Sequence, residues 1–286
     1  MTQTPGAATS IVTAVGPRPT FCCSAIGGTI LGVVLQVLLV ALALAGPPAP
    51  REPIPVEPAL IAARVAQVDS DMRSHVTGDI TLDALYEERV YRRLAARPRL
   101  ARQVIRLLPA RMRADARDTV TGLHSLFRLT TYATERRFRT GPPTPRDELR
   151  AWYAQAQRRF GVRWQVLAAI NFIESNFGRL RNVSSAGAIG PMQFIPQTWR
   201  AYGLGGNVRD PHDAILGAAN YLHANGAPGH EADAIFHYNP SPLYVRAVRS
   251  YARAMTRDPA TFWVYWSWQT FQRTPSGEAQ LTGPGS

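Results

Sequence analysis

The chain has 286 residues, room for one or two domains once ends and linkers are set aside. Hydrophobic residues make up 45 %, which is enough for a proper core and excludes a chain disordered throughout. The formal net charge is +12, and all 32 basic residues are arginine, a codon bias of the kind a GC-rich genome imposes. The excess charge favours anionic partners: nucleic acid, anionic lipid or anionic wall polymers.

Residues 1–24 read as disordered. Residues 25–45, AIGGTILGVVLQVLLVALALA, contain only Gln36 as a strongly polar side chain. That length suffices to cross a bilayer, which takes ~20 apolar residues. Arg18 is the only charge before it and favours an N-terminus inside. Ala43-Leu44-Ala45 before Gly46 also fits a signal cleavage site. A single-pass membrane anchor is favoured over a cleaved signal, because the preceding segment is long and barely basic. Either way the remainder is expected outside the cytoplasm, which demotes nucleic acid as a partner. Cys22 and Cys23 precede the span, so the exported part has neither a disulfide nor a cysteine-ligated metal. Its histidines show no HExxH-type spacing, and no metal or other cofactor is expected.

Residues 46–58, GPPAPREPIPVEP, predict an extended, stiff linker. Residues 59–140 are basic and helical in pattern, with stretches from Leu60 to Met72, Leu82 to Ala96, Leu100 to Leu108 and Met112 to Leu129. Their arginine-rich faces read as solvated helix surfaces. Gly141-Pro142-Pro143-Thr144-Pro145 is a break. A helix then runs from Asp147 to Phe160.

The next helix carries the most informative side chain. Glu174 is the only carboxylate between Glu148 and Asp210. Val166 to Ile173 is apolar on every face except at Asn171, so the helix should be buried. Leu167, Ile170, Asn171 and Glu174 fall on one stripe and point Glu174 toward the core. A carboxyl group held away from water, near the negative end of a helix dipole, keeps its proton to higher pH. A lone Glu is ordinarily a solvated residue, but these neighbours are wrong for a solvated face. Gly178 reads as the helix stop.

Asp210-Pro211-His212-Asp213 reads as a capping box, which assigns both aspartates to structure. Ile215, Ala218, Ala219 and Leu222 form the buried stripe of that helix. Glu231 to Tyr238 is a short helix ended by Asn239-Pro240. Ser241-Pro242 starts another, with Tyr244, Val248, Tyr251 and Met255 facing in. Residues 258–286 crowd Trp263, Tyr265, Trp266, Trp268 and Phe271 together, and packing against the domain is favoured over stacking on sugars. No segment shows strand alternation, so the fold class is all-α.

Four motifs in order resemble the lytic transglycosylases of bacterial cell walls, which have a goose-lysozyme-like α-helical domain. They are Glu174-Ser175; Ser184-Ser185-Ala186-Gly187-Ala188-Ile189-Gly190-Pro191-Met192-Gln193-Phe194; Asp213-Ala214-Ile215 through Ala219-Asn220-Tyr221-Leu222; and Tyr238-Asn239. The resemblance covers roughly residues 147–256, within a domain spanning 141–257. The second and third motifs look closer to the membrane-bound B-type branch, the fourth to the soluble branch. It implies Glu174 as the single catalytic acid/base and Ser184 as a contact to the muramyl N-acetyl group. Ser184 lies one residue further from Glu174 than in the soluble branch, which makes Ser185 a substitute. Met192, Gln193 and Phe194 would line the glycan groove, with Tyr238 and Asn239 beside the acid. Pro240 stands where the family has glycine.

The implied reaction cleaves the bond between N-acetylmuramic acid and N-acetylglucosamine without water, leaving a 1,6-anhydro ring. No second carboxylate lies near Glu174 in the sequence, which fits this reaction, because two-carboxylate hydrolysis would need one. The competing readings are a goose-type muramidase, a noncatalytic peptidoglycan-binding protein, and a nucleic-acid binder driven by charge.

Overall fold

The structure, a computed structural model, describes residues 46–74, 79–130, 138–275 and 277–286. The apolar span 25–45, Cys22, Cys23 and His75 lie outside the described residues. No helix among the described residues is long and apolar enough to cross a membrane.

Eleven α-helices and one 3-10 turn are described. They are α1 (Pro58–Ser74), α2 (Thr81–Ala96), α3 (Pro98–Leu107), the turn Ala110–Met112, α4 (Arg113–Leu129), α5 (Arg146–Phe160), α6 (Trp164–Ser175), α7 (Pro196–Tyr202), α8 (Pro211–Ala224), α9 (Glu231–Tyr238), α10 (Pro242–Arg257) and α11 (Thr261–Ser267). Local chemistry explains the boundaries. Helix α5 carries Asp147 and Glu148 in its first turn and Arg158 and Arg159 in its last, matching the helix dipole. It ends at Gly161, whose φ of 72° an L side chain rarely adopts. Helix α6 starts where Gln157 Oε1 accepts the Trp164 N–H at 2.7 Å. Ser241 caps α10 by accepting the Leu243 N–H.

Helix α6 forms the centre of the second half. Val166, Leu167, Ala168, Ala169 and Ile170 have no exposed surface, and α10 packs along both α6 and α4. The hydrophobic core runs without a break from Ile61 in α1 to Trp268 beyond α11. Of the tail aromatics, Tyr265 and Trp268 join it, Trp263 and Trp266 pack partly buried against it, and Phe271 is half-buried. Phe262, Tyr265 and Trp268 are buried, and Phe172 of α6 stacks on Tyr265 with ring centroids 5.5 Å apart.

Three expectations are corrected. The tail holds two short strands, β1 (Phe271–Thr274) and β2 (Gly277–Gln280), paired antiparallel with Phe271 opposite Gln280 and Thr274 opposite Gly277. Four residues per strand are too few for alternation to show, and the fold stays all-α around them. Helix α6 stops at Asn176 rather than Gly178. Segment 46–57 does not stand away as a spacer. Arg64 pairs with Glu52 at 3.0 Å, Arg89 bonds the Glu52 carbonyl at 3.0 Å, and Arg93 bonds the Ile54 and Pro55 carbonyls. Several arginines read as solvated are thus spent in holding this segment to the helices.

Candidate functional site

Asn171, buried in α6, anchors the site. Its Oδ1 accepts the Tyr153 hydroxyl at 2.6 Å, and its Nδ2 donates to the Pro191 carbonyl at 2.9 Å. Ser175, one turn later, donates to the same carbonyl at 2.7 Å and accepts the Gly178 N–H at 2.9 Å. Two buried side chains of the central helix therefore grip one backbone oxygen of the glycine-rich loop. Every polar atom in this small network finds a partner, the condition under which buried polar groups rigidify rather than destabilise.

Glu174 lies between these anchors and is half-buried. Its Oε1 accepts a hydrogen bond from the Tyr244 hydroxyl at 2.5 Å. Burial pushes the carboxyl up to about 7, and the Tyr244 hydrogen bond opposes that shift without cancelling it. Burial, then the negative charge of Glu174, raises the phenols of Tyr244 and Tyr238 well above their ordinary value. Both tyrosines stay neutral hydroxyl donors beside the acid. Tyr244 was legible in the sequence only as an inward-facing residue of α10. The usable signal was that a buried tyrosine hydroxyl needs a partner.

The chain leaves α6 through three successive left-handed residues, with φ of 49° at Asn176, 58° at Phe177 and 87° at Gly178. Phe177 has no exposed surface and stacks on Phe172 at 5.5 Å. A bulky residue in this region costs about 1–3 kcal/mol and persists only when packing over-determines it, a pattern found near working sites.

The loop residues divide by role. Ser184 Oγ accepts the Ala188 N–H at 2.9 Å and so closes its own turn, while Ser185 is exposed. Met192 and Phe194 are buried. They form the underside of the loop rather than an open groove lining. Gln193, with φ of 49°, points the other way. Its Nε2 donates to Gly190 O at 2.9 Å and Asn182 O at 3.3 Å. Tyr238 donates to the Met192 carbonyl at 2.6 Å. The Asn239 N–H closes α9 on Ile235 O, and its side chain is half-buried.

Two cavities flank Leu180, which lines both. One, about 250 Å³, contains Glu174 together with Phe127, Tyr251 and Gln272. The other, about 670 Å³, is larger but does not include Glu174. It is lined by Gln193, Trp152, Arg139, Arg181 and Arg209. The first also holds a second carboxylate that sequence spacing did not reveal, Glu88 of α2. Both of its oxygens are engaged: Oε2 accepts the Gln269 N–H at 2.7 Å, and Oε1 sits 3.5 Å from Arg92.

Among the described residues, the group whose side chains come close enough to share a metal ion is Asp210, His212 and Asp213. Two of these are spent on capping. Asp210 accepts the Asp213 N–H at 3.0 Å, and Asp213 accepts the Asn207 N–H at 2.9 Å instead of returning to Asp210. The reciprocal half of the expected capping box is thus redirected to the preceding turn.

A half-buried acid poised near neutrality, with a fixed loop beside it and a cavity in front, is equipped to donate a proton to a glycosidic oxygen and take one back. No curated protein and no solved structure matches the chain. Residues 152–259, which run from α5 to the start of the tail, match the family model described as Transglycosylase SLT domain. That part of the chain, with its lysozyme-like helical fold, is similar to the transglycosylase SLT domain, a domain of enzymes that cleave glycosidic bonds of peptidoglycan.

Proposed function

We propose that the enzyme cleaves the β-1,4 bond between N-acetylmuramic acid and N-acetylglucosamine without water and leaves 1,6-anhydromuramyl ends. Glu174 is the single acid/base. Tyr244 occupies Oε1, so the transferable proton resides on Oε2. That proton passes to the glycosidic oxygen as the bond to C1 breaks, and the acetamido group of the substrate stabilises the cationic centre. Glu174, now a carboxylate, takes the proton from the C6 hydroxyl as O6 bonds to C1. A group with its pKa about 7 can perform both transfers near neutral pH.

The observation that carries this reading is the pairing of a raised Glu174 with a second carboxylate, Glu88, that is committed elsewhere. Hydrolysis with two carboxylates needs a free base to activate water. Ser185 and Gln193 supply polar contacts to the glycan. Ser184, Met192, Phe194, Tyr238 and Asn239 hold the groove in shape around it. We further assign residues 25–45 to a single membrane span, with the catalytic unit outside the cytoplasm, where peptidoglycan lies.

Mass spectrometry of peptidoglycan digested by the wild type and by Glu174→Gln tests the reading. Anhydromuramyl ends from the wild type alone are expected. Hydrated reducing ends would identify a muramidase, and no products from either protein would leave a binding protein.

A further inference from the structure

The cavity that holds Glu174 is not built by residues 152–259 alone. That span provides Ile173, Glu174, Leu180 and Tyr251, whereas Phe127 of α4 and Gln272 of β1 come from outside it. The tail is fastened on both sides of the acid. Asn176, two residues beyond Glu174, donates through Nδ2 to Trp268 O and Thr270 Oγ1, both at 3.3 Å. On the other side the Gln269 N–H donates to Glu88.

Strand β1 is then locked to α4 by guanidinium groups. Arg92 lies over the rings of Phe127 and Phe271, at 5.4 and 4.7 Å, and pairs with Glu278 of β2 at 2.5 Å. Arg273 also lies over the Phe127 ring, at 4.9 Å, and bonds the Phe127 carbonyl. The result is a preformed wall of half-buried rings beside the amide of Gln272. An apolar ring face next to a side-chain amide suits a pyranose, which has apolar C–H faces and an equatorial rim of hydroxyl and acetamido groups.

We propose that β1 is a substrate-binding wall: Phe271 and Gln272 contact the sugar whose glycosidic oxygen meets Glu174, and they set affinity for the glycan rather than the rate of bond cleavage. The proposal rests on Glu174 as the proton donor. It predicts that residues beyond the matched span are part of the working enzyme. Gln272 is the informative position, because among the described residues its amide donates to its neighbour's carbonyl, Arg273 O at 3.2 Å, and holds nothing distant together.

The test uses the full chain carrying Glu174→Gln and measures binding of a muramyl-containing tetrasaccharide by calorimetry. Adding Gln272→Ala or Phe271→Leu is expected to weaken Kd about three- to tenfold, the loss of one hydrogen bond or ring contact. In the active enzyme the same two changes should raise KM by a similar factor and leave kcat within about twofold. The melting temperature of Gln272→Ala should match its parent. Unchanged Kd and KM in both variants would overturn the proposal and leave β1 a structural strap. Continued digestion by Glu174→Gln would overturn the role of Glu174 instead, whereas weakened binding by the wall variants would still support the wall.

Discussion

The Tyr244 hydroxyl donates to Glu174 Oε1 across 2.5 Å, joining the first turn of α10 to the last turn of α6. The bond stabilises the carboxylate form and restrains a shift that burial drives upward. Replacing Tyr244 with Phe removes the donor and keeps the ring, so the Glu174 pKa should rise by about 1 unit, the worth of one hydrogen bond to a charged group. The first chemical step needs the protonated acid, so activity declines as pH climbs through that pKa. The alkaline limb of the pH profile of kcat/KM should therefore move to higher pH in Tyr244→Phe. An unmoved limb would separate Glu174 from that titration.

The loop anchor predicts a different signature. Asn171→Ala deletes the acceptor of a fully buried Tyr153 hydroxyl and one of two donors to the Pro191 carbonyl. A stranded buried hydroxyl costs about 1–3 kcal/mol, so denaturant unfolding should show a loss of that size or somewhat more. Ser175→Ala keeps Asn171 on the carbonyl and should cost less. Both should also slow digestion, because the Pro191 carbonyl fixes where the Met192–Phe194 segment sits. A stability loss with full activity would detach that loop from the site.

The sequence exposed the axis of this site and concealed its surroundings. Glu174 stood out because a charge inside an apolar helix has few ordinary explanations. Helix boundaries at Pro211, Glu231 and Pro242 were readable because proline and capping residues act within a turn of where they stand. Tyr244, Glu88 and Gln272 were not readable as site residues. They reach Glu174 or its cavity from 70, 86 and 98 positions away, and no local pattern encodes such closure. Met192 and Phe194 misled in the opposite sense: a motif marks a segment, and the backbone turn at Gln193 leaves those two side chains buried while Gln193 lines the larger cavity.

The buried acids of α2 give the protein a pH-dependent stability. Glu87 and Glu88 are both held up at about 8 by burial, and Asp69 adds repulsion at Glu87. Their folded-state values lie above the ordinary 4.5, so the folded protein holds protons that the unfolded chain releases. Stability is then greatest below about pH 4.5 for these groups and falls as pH rises toward 8. Glu87→Gln removes one titration while keeping the shape. It should unfold at a higher temperature than the wild type at pH 8, by ~1–3 kcal/mol of stability, and differ little at pH 5. Equal midpoints at both pH values would show that Glu87 is solvated.

Gly190 tests the loop from its backbone. Its φ is 81°, and a Cβ placed there would lie 2.0 Å from the Val208 carbonyl oxygen. Backbone, unlike a flexible side chain, cannot swing aside, so Gly190→Ala must push the loop off residue 208 or unwind its left-handed turn. The Gly190 carbonyl also accepts the Gln193 amide at 2.9 Å and the Gln193 N–H at 3.0 Å. Displacing it therefore moves the side chain proposed to meet the glycan. Gly190→Ala should lose about 2 kcal/mol or more of stability and raise KM for glycan substrates more than it lowers kcat, because Glu174 and Tyr244 stay on helices that the loop only touches. Gly187 has the same φ, but a Cβ there would meet nothing within 4 Å, so Gly187→Ala carries the backbone strain without the collision. If Gly187→Ala proved as damaging as Gly190→Ala, dihedral strain rather than contact with residue 208 would set the loop's position.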